Sequence, residues 1–178
     1  MFDWLNQFSS SMGMTAYITH SACFGHNMGE GHPEAPARLA AIRDRLMSAQ
    51  VIDFLREVEA PEVSDAQLAR VHPQRYLDYL ESVLPQTGTF RVDTDTAMNS
   101  GTLKAARYAA GAVVKAVDMV MNEEVPNAFC AVRPPGHHAE SEKAMGFCFY
   151  NNVAVGVMHA IAEYRLERVA IVDFDVHH

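Results

Sequence analysis

Two short runs hold most of the residues that could do chemistry: Val172-Asp173-Phe174-Asp175-Val176-His177-His178 at the end of the chain, and Arg133-Pro134-Pro135-Gly136-His137-His138 before it. In an extended strand successive side chains point to opposite faces. An extended 168–176 segment would therefore put Val172, Phe174 and Val176 on one side and Asp173, Asp175 and His177 on the other. Two carboxylates and an imidazole would converge at a strand's C-terminal end, where open α/β sheets bind ligands. Burying like charges together is unfavourable unless a cation or hydrogen-bond donors offset them. Carboxylate plus imidazole is a usual zinc ligand set, and catalytic zinc takes three protein ligands and keeps a position for water. Taken alone, Asp-x-Asp-x-His is more often a solvated strand end or an Asp at a helix cap.

The tandem histidines change that weighing. His137 and His138 lie on a Pro- and Gly-shaped loop that also follows an apolar, strand-length run, Ala128 to Val132. The spacing predicts that both constellations open at the same edge of a sheet. A histidine beside a carboxylate is held in one tautomer, becomes more basic, and can take a proton from an activated water. Alone, the pair would read as two surface histidines.

The elements that must position these residues alternate strand and helix. Strands are expected at Thr15–Thr19, Phe54–Ala60, Ala128–Val132 and Arg168–Val176, the last two apolar enough to be buried on both faces of a sheet. Helices are expected from Pro36 to Ala49, from a Ser64 cap, over Pro73–Leu84, Gly101–Glu123 and Asn152–Tyr164. Gln86–Ser100 and Arg133–Cys148 read as loops. Alternation of this kind specifies an α/β fold with a parallel sheet.

Composition excludes several classes. The chain has 178 residues and a formal net charge of -8, with no Lys/Arg patch, which argues against direct nucleic-acid binding. Three unclustered cysteines, Cys23, Cys130 and Cys148, argue against a disulfide framework and fit a reducing, cytoplasmic setting. No apolar run is of membrane-spanning length. Residues 1–14 read as an N-terminal extension, either poorly ordered, or with Trp4, Leu5 and Phe8 on one face of a helical turn, or ahead of a start at Met12 or Met14.

Val132 to Ala139, Gly146-Phe147-Cys148-Phe149-Tyr150-Asn151-Asn152 and Val172 to His178 together resemble the histone deacetylase family, most closely its class II-like bacterial amidohydrolases and acetoin-utilisation proteins. Gly31-His32-Pro33-Glu34 with Arg38 resembles that family's early loop, and Asp93-Thr94-Asp95-Thr96 its substrate-side loop. The resemblance implies a three-layer arginase-deacetylase fold with a central parallel sheet, incomplete here, with residues 15–178 the N-terminal part of one domain. It implies zinc-dependent hydrolysis of an acetyl-amide, acetyl-lysine or a related acylated amine. Asp175 and His177 match two zinc ligands. His138 matches the general base and later acid, and His137, paired with Asp173, matches its electrostatic assistant. Gly146 and Phe147 match the tunnel wall, Asp95 the rim residue that holds the substrate backbone, and Arg38 the arginine of the product channel. Backbone oxygens near Asp173, Asp175 and His177 match a monovalent cation site, usually K+. Cys148 matches a cysteine beside the metal loop and is expected to be a small core residue.

The family's third zinc ligand and its oxyanion residue have no counterpart in residues 1–178. The chain is therefore expected to be a truncated piece, inactive alone, with an exposed sheet edge that would drive association as a homo-oligomer or with a partner. Two alternatives stand beside the acetyl-lysine deacetylase: an acetylpolyamine amidohydrolase, and a non-catalytic interaction module with the same fold. An arginase-like two-metal ureohydrolase shares the topology.

Overall fold

A computed structural model of the chain describes residues 13–177. The expectations for Trp4, Leu5 and Phe8, and for His178, fall outside these residues. The central strand is β1 (Thr15–Thr19), whose Ala16, Tyr17 and Ile18 are all buried. It pairs in parallel with β2 (Leu55–Glu59) on one side and β5 (Ala128–Cys130) on the other. Alternation along β1 sends its side chains into two separate apolar layers. Tyr17 packs with Leu39, Ile42 and Leu46 of α1 (Ala37–Ser48). Ala16 and Ile18 pack with Ala112 and Met119 of α4 (Thr102–Met121). Helix, sheet and helix thus form three layers, as the resemblance implied.

Local signals behave as their chemistry dictates. Pro36 caps α1, where its missing N–H costs nothing. Ser64 and Gln67 form a reciprocal capping box at α2 (Asp65–Leu68). Tyr76, Leu77 and Leu80 share the inner face of α3 (Gln74–Ser82) and meet Leu103, Ala106 and Val114 of α4. The Asn151 side chain caps α5 (Asn152–Tyr164) by accepting from the Ala154 amide, and α5 packs along α4. No helix among the described residues is long and apolar enough to cross a membrane.

Three expectations need correction. The 86–100 loop contains a small antiparallel ladder, β3 (Phe90–Arg91) with β4 (Ala97–Met98), too short to show any period in the sequence. The strand at 128 ends at Cys130 and is not buried on both faces: Phe129 lies on the Tyr17 face of the sheet and is 45% exposed.

The largest correction concerns Arg168–Val176, which forms no strand. Among the described residues the sheet order is β2-β1-β5, so no strand lies alongside this run to take its backbone groups. A cleft of about 860 Å³, walled by Cys130, Val132, Val113 and Val117, lies between the free side of β5 and residues 169–175. Val172, Phe174 and Val176 are 83%, 95% and 84% exposed, so the apolar run is not in a core. The two motifs are therefore not on neighbouring strands.

Candidate active site

The two motifs nonetheless meet. The tandem histidines follow β5 on a loop whose entry is fixed by Arg133. This arginine is fully buried and grips Glu34 with two bonds, Nε to Oε1 at 2.6 Å and Nη2 to Oε2 at 2.7 Å. Its Nη1 donates to the carbonyls of Cys23 and His26, so it ties the early loop to the histidine loop. Burial alone would raise the Glu34 carboxyl, but His26 and Arg133 more than offset it and hold the group at about 2. The loop then passes Gly136, where a Cβ would stand 2.5 Å from the Asn152 amide nitrogen, so only glycine fits.

His137 Nδ1 lies 2.9 Å from Asp173 Oδ2. The carboxylate only accepts, so Nδ1 carries the proton and Nε2 is left free to act. The strand alternation predicted for 172–177 is replaced by two successive side-chain turns: Asp173 Oδ1 accepts from the Asp175 amide at 3.1 Å and Asp175 Oδ1 from the His177 amide at 2.8 Å. The His177 amide, with the neighbouring His137 and His177 rings, holds the Asp175 carboxyl below its ordinary value. His177 Nδ1 is 3.7 Å from Asp175 Oδ1, and its side chain is largely exposed. The two carboxylates are not buried as the strand reading assumed.

His138 lies against the His137 ring, with centroids 4.2 Å apart. Its own ring packs on Gly146, where a Cβ would come within 2.5 Å of His138 Cδ2. Gly146 and Phe147 both have positive φ, 56° and 70°. The second is costly for a residue with a side chain, and it is held by the Phe147 amide donating to Thr96 Oγ1 at 2.9 Å. Thr96 in turn donates to Asp95 Oδ1 at 2.9 Å, which links Asp95 to Phe147 through one buried hydroxyl. The Phe147 ring meets His32 edge-on at 4.7 Å. Arg38 Nη1 is 3.5 Å from Glu34 Oε1, so Arg38 joins the Arg133 network although its side chain is more than half exposed. Cys148 is buried, and burial pushes its thiol up to about 12, which suits a packing residue.

Every candidate thus falls in one of three connected groups: His137 with Asp173, Asp175 and His177; His138 with Gly146, Phe147 and Asp95; and Arg38 with Glu34 and Arg133. Arg133, Glu34, His26 and Thr96 have no role in the sequence reading yet supply bonds within and beside these groups: Arg133 ties Glu34 to the His26 carbonyl, and Thr96 ties Asp95 to Phe147. A charged residue beside Pro-Pro and another after His-Pro were visible, but their partnership across 99 residues was not.

Asp175 and His177 have the oxygen and nitrogen donors that zinc takes, and would supply two of the three protein ligands of a catalytic site. No group of three His, Cys, Asp or Glu side chains placed to hold a metal occurs among the described residues.

Comparison with known proteins supplies the frame for this geometry. The model of the histone deacetylase domain matches residues 32–178. The chain belongs to the histone deacetylase family. A histone deacetylase-like amidohydrolase of Pseudomonas aeruginosa is 38% identical over 83% of this chain and 39% of its own length. A probable deacetylase of Archaeoglobus fulgidus is 35% identical over 93% of this chain and 46% of its own length. The crystal structure of the HDA15 HD domain superposes with a TM-score of 0.79 at 34% identity, covering 85% of this chain and 44% of that one. The fold is therefore the arginase-deacetylase fold of that family, present in part. The chain spans well under two thirds of the length of these deacetylase relatives.

Proposed function

We propose that the chain forms part of a zinc-dependent deacetylase that hydrolyses the acetyl-amide of acetyl-lysine or a related acylated amine. The observation that carries this reading is the bond from His137 to Asp173, which joins the tandem-histidine loop to the Asp-x-Asp-x-His run. In this reading His138 takes a proton from the attacking water and returns one to the leaving amine. His137, oriented by Asp173, presents a favourable field beside it. Asp95 holds the substrate backbone at the rim, Gly146 and Phe147 wall the acyl chain, and Arg38 lines the exit for acetate. Asp175 and His177 would hold zinc, which when bound would polarise the amide carbonyl and acidify water. Backbone oxygens around Asp173, Asp175 and His177 would hold K+.

Two protein ligands hold zinc poorly, so residues 1–178 alone are expected to be inactive, the further ligand coming from outside the described residues. The three free thiols suit a cytoplasmic setting, and the negative charge suits an amine substrate rather than nucleic acid. A rat relative named a polyamine deacetylase is 36% identical over 82% of this chain and 26% of its own length, which supports an acetylpolyamine as second candidate substrate.

The test is an assay of fluorogenic acetyl-lysine peptide and acetylputrescine, with and without chelator. Chelator-sensitive turnover by residues 1–178 overturns the inactivity. A longer form that carries these residues, binds zinc and hydrolyses neither substrate overturns the deacetylase reading.

A further inference from the structure

His72 sits outside all three groups, yet it touches the histidine loop twice. Its side chain is completely buried just before α3, flanked by the rings of Tyr76 and Tyr150 at 5.2 and 5.8 Å. Nε2 accepts from the Asn151 amide at 2.9 Å. A backbone amide can only donate, so Nε2 carries no proton. Nδ1 must then be the protonated nitrogen, and it donates to the Ser141 carbonyl at 2.9 Å. Ser141 lies three residues after His138. Asn151 reaches still closer, because its side-chain amide donates to the Ala139 carbonyl at 3.0 Å while its oxygen caps α5. One imidazole therefore fastens both ends of the segment that carries Gly146 and Phe147, and through Asn151 it holds the residue next to His138.

We propose that His72 is a positioning residue for the tandem-histidine loop, working only as the neutral Nδ1–H imidazole. The role of His138 that it serves rests on the deacetylase reading. The imidazolium would turn Nε2–H toward the Asn151 amide, donor against donor, and release that end of the loop. Burial already pushes His72 below its ordinary value, opposed in part by the Ser141 carbonyl. The groups around the ring are Tyr76 on α3 and Tyr150 ahead of α5. The Arg75–Glu142 ion pair, beside Ser141 in sequence, is at the surface. Neutral His72 is thus favoured by its surroundings as well as required by its bonds.

The test is imidazole NMR of the full chain labelled with 15N-histidine. At pH 8 the two-bond spectrum should show the Nδ1–H tautomer for His72, identified by its loss in His72→Gln. That variant keeps an acceptor toward Asn151 and loses the donor to Ser141, and His72→Asn does the reverse. Both should displace the His138 ring signals and leave those of His159 in place. An Nε2–H tautomer overturns the proposal, and so do His138 signals unmoved in both folded variants. Should the variants unfold, titration of the uniformly 15N-labelled wild type decides alone: the Ala139 and Asn151 amides must shift with the same midpoint as His72, and independent midpoints overturn it. None of these readouts uses turnover, so failure of the deacetylase reading would leave them intact.

Discussion

His137 Nδ1 lies 2.9 Å from Asp173 Oδ2, joining residues 36 apart in sequence. The bond fixes which nitrogen of His137 is free, and this tautomer control is a function a carboxylate serves well. Asp173→Ala should let the His137 ring exchange between both neutral tautomers, seen as averaged two-bond imidazole signals. Both side chains keep solvent contact, so the cost in stability should stay below about 1 kcal/mol by urea denaturation. A His137 ring that remains wholly Nδ1–H in the variant would show that something other than Asp173 orients it.

Gly146 is the tightest point of the His138 environment. Gly146→Ala combines a left-handed backbone, costing a side chain about 1–2 kcal/mol, with a Cβ pressed on the His138 ring. The expected outcome is a displaced His138 ring signal together with a loss of at least about 1 kcal/mol in urea denaturation. A folded variant of unchanged stability with His138 unmoved would mean that the ring has room to shift.

The buried Arg133–Glu34 pair predicts both a mutational and a pH response. Arg133→Met leaves Glu34 charged in the interior with only His26 at 3.3 Å and the half-exposed Arg38 at 3.5 Å beside it, which should cost about 3–5 kcal/mol. Adding Glu34→Gln should restore part of that loss, a non-additivity measurable in a double-mutant cycle. The sign of the pH effect follows from the depressed carboxyl. Unfolded, Glu34 returns to its ordinary value near 4.5; folded, it sits at about 2. Its stabilisation is present above about pH 4.5 and disappears as pH falls toward 2. Chemical denaturation across this window should show a shallower fall in stability for Glu34→Gln than for the parent chain.

How much of this was legible in the sequence depends on range. Signals carried by neighbours came through: Pro36, the Ser64 cap, the α4 alanines and the α5 boundary all lie where their chemistry places them. The candidate residues stand out as types, because Arg-Pro-Pro-Gly-His-His and Asp-x-Asp-x-His are unusual strings. The relations between distant residues do not. Nothing local tells that Arg133 reaches Glu34, that Thr96 bridges Asp95 and Phe147, or that His72 grips the loop of His138. The 168–176 run misled for a related reason. Its apolar alternation is a strand signal, but a strand exists only when another backbone lies alongside it, and no described strand does. The bond from Asp173 to His137 forms without the strand geometry expected for this run.

Asp175 and His177 make a prediction that stands apart from turnover. Both side chains are more than half exposed, so Asp175→Ala and His177→Ala should leave the metal-free unfolding free energy within about 0.5 kcal/mol of the parent. Calorimetric titration of residues 1–178 with zinc should show binding well short of a closed structural site, because two ligands cannot complete the tetrahedron. Each substitution should weaken that binding further, by at least about tenfold, the scale of losing even an outer partner of a metal site. A site elsewhere would give the opposite pattern: zinc affinity unchanged in both variants, and lost instead on substituting other histidines. Asp173→Ala discriminates within the motif. It should weaken zinc less than either ligand substitution, since its Oδ2 faces His137 and its Oδ1 takes the Asp175 amide, so its share in the metal would come through holding Asp175 in place.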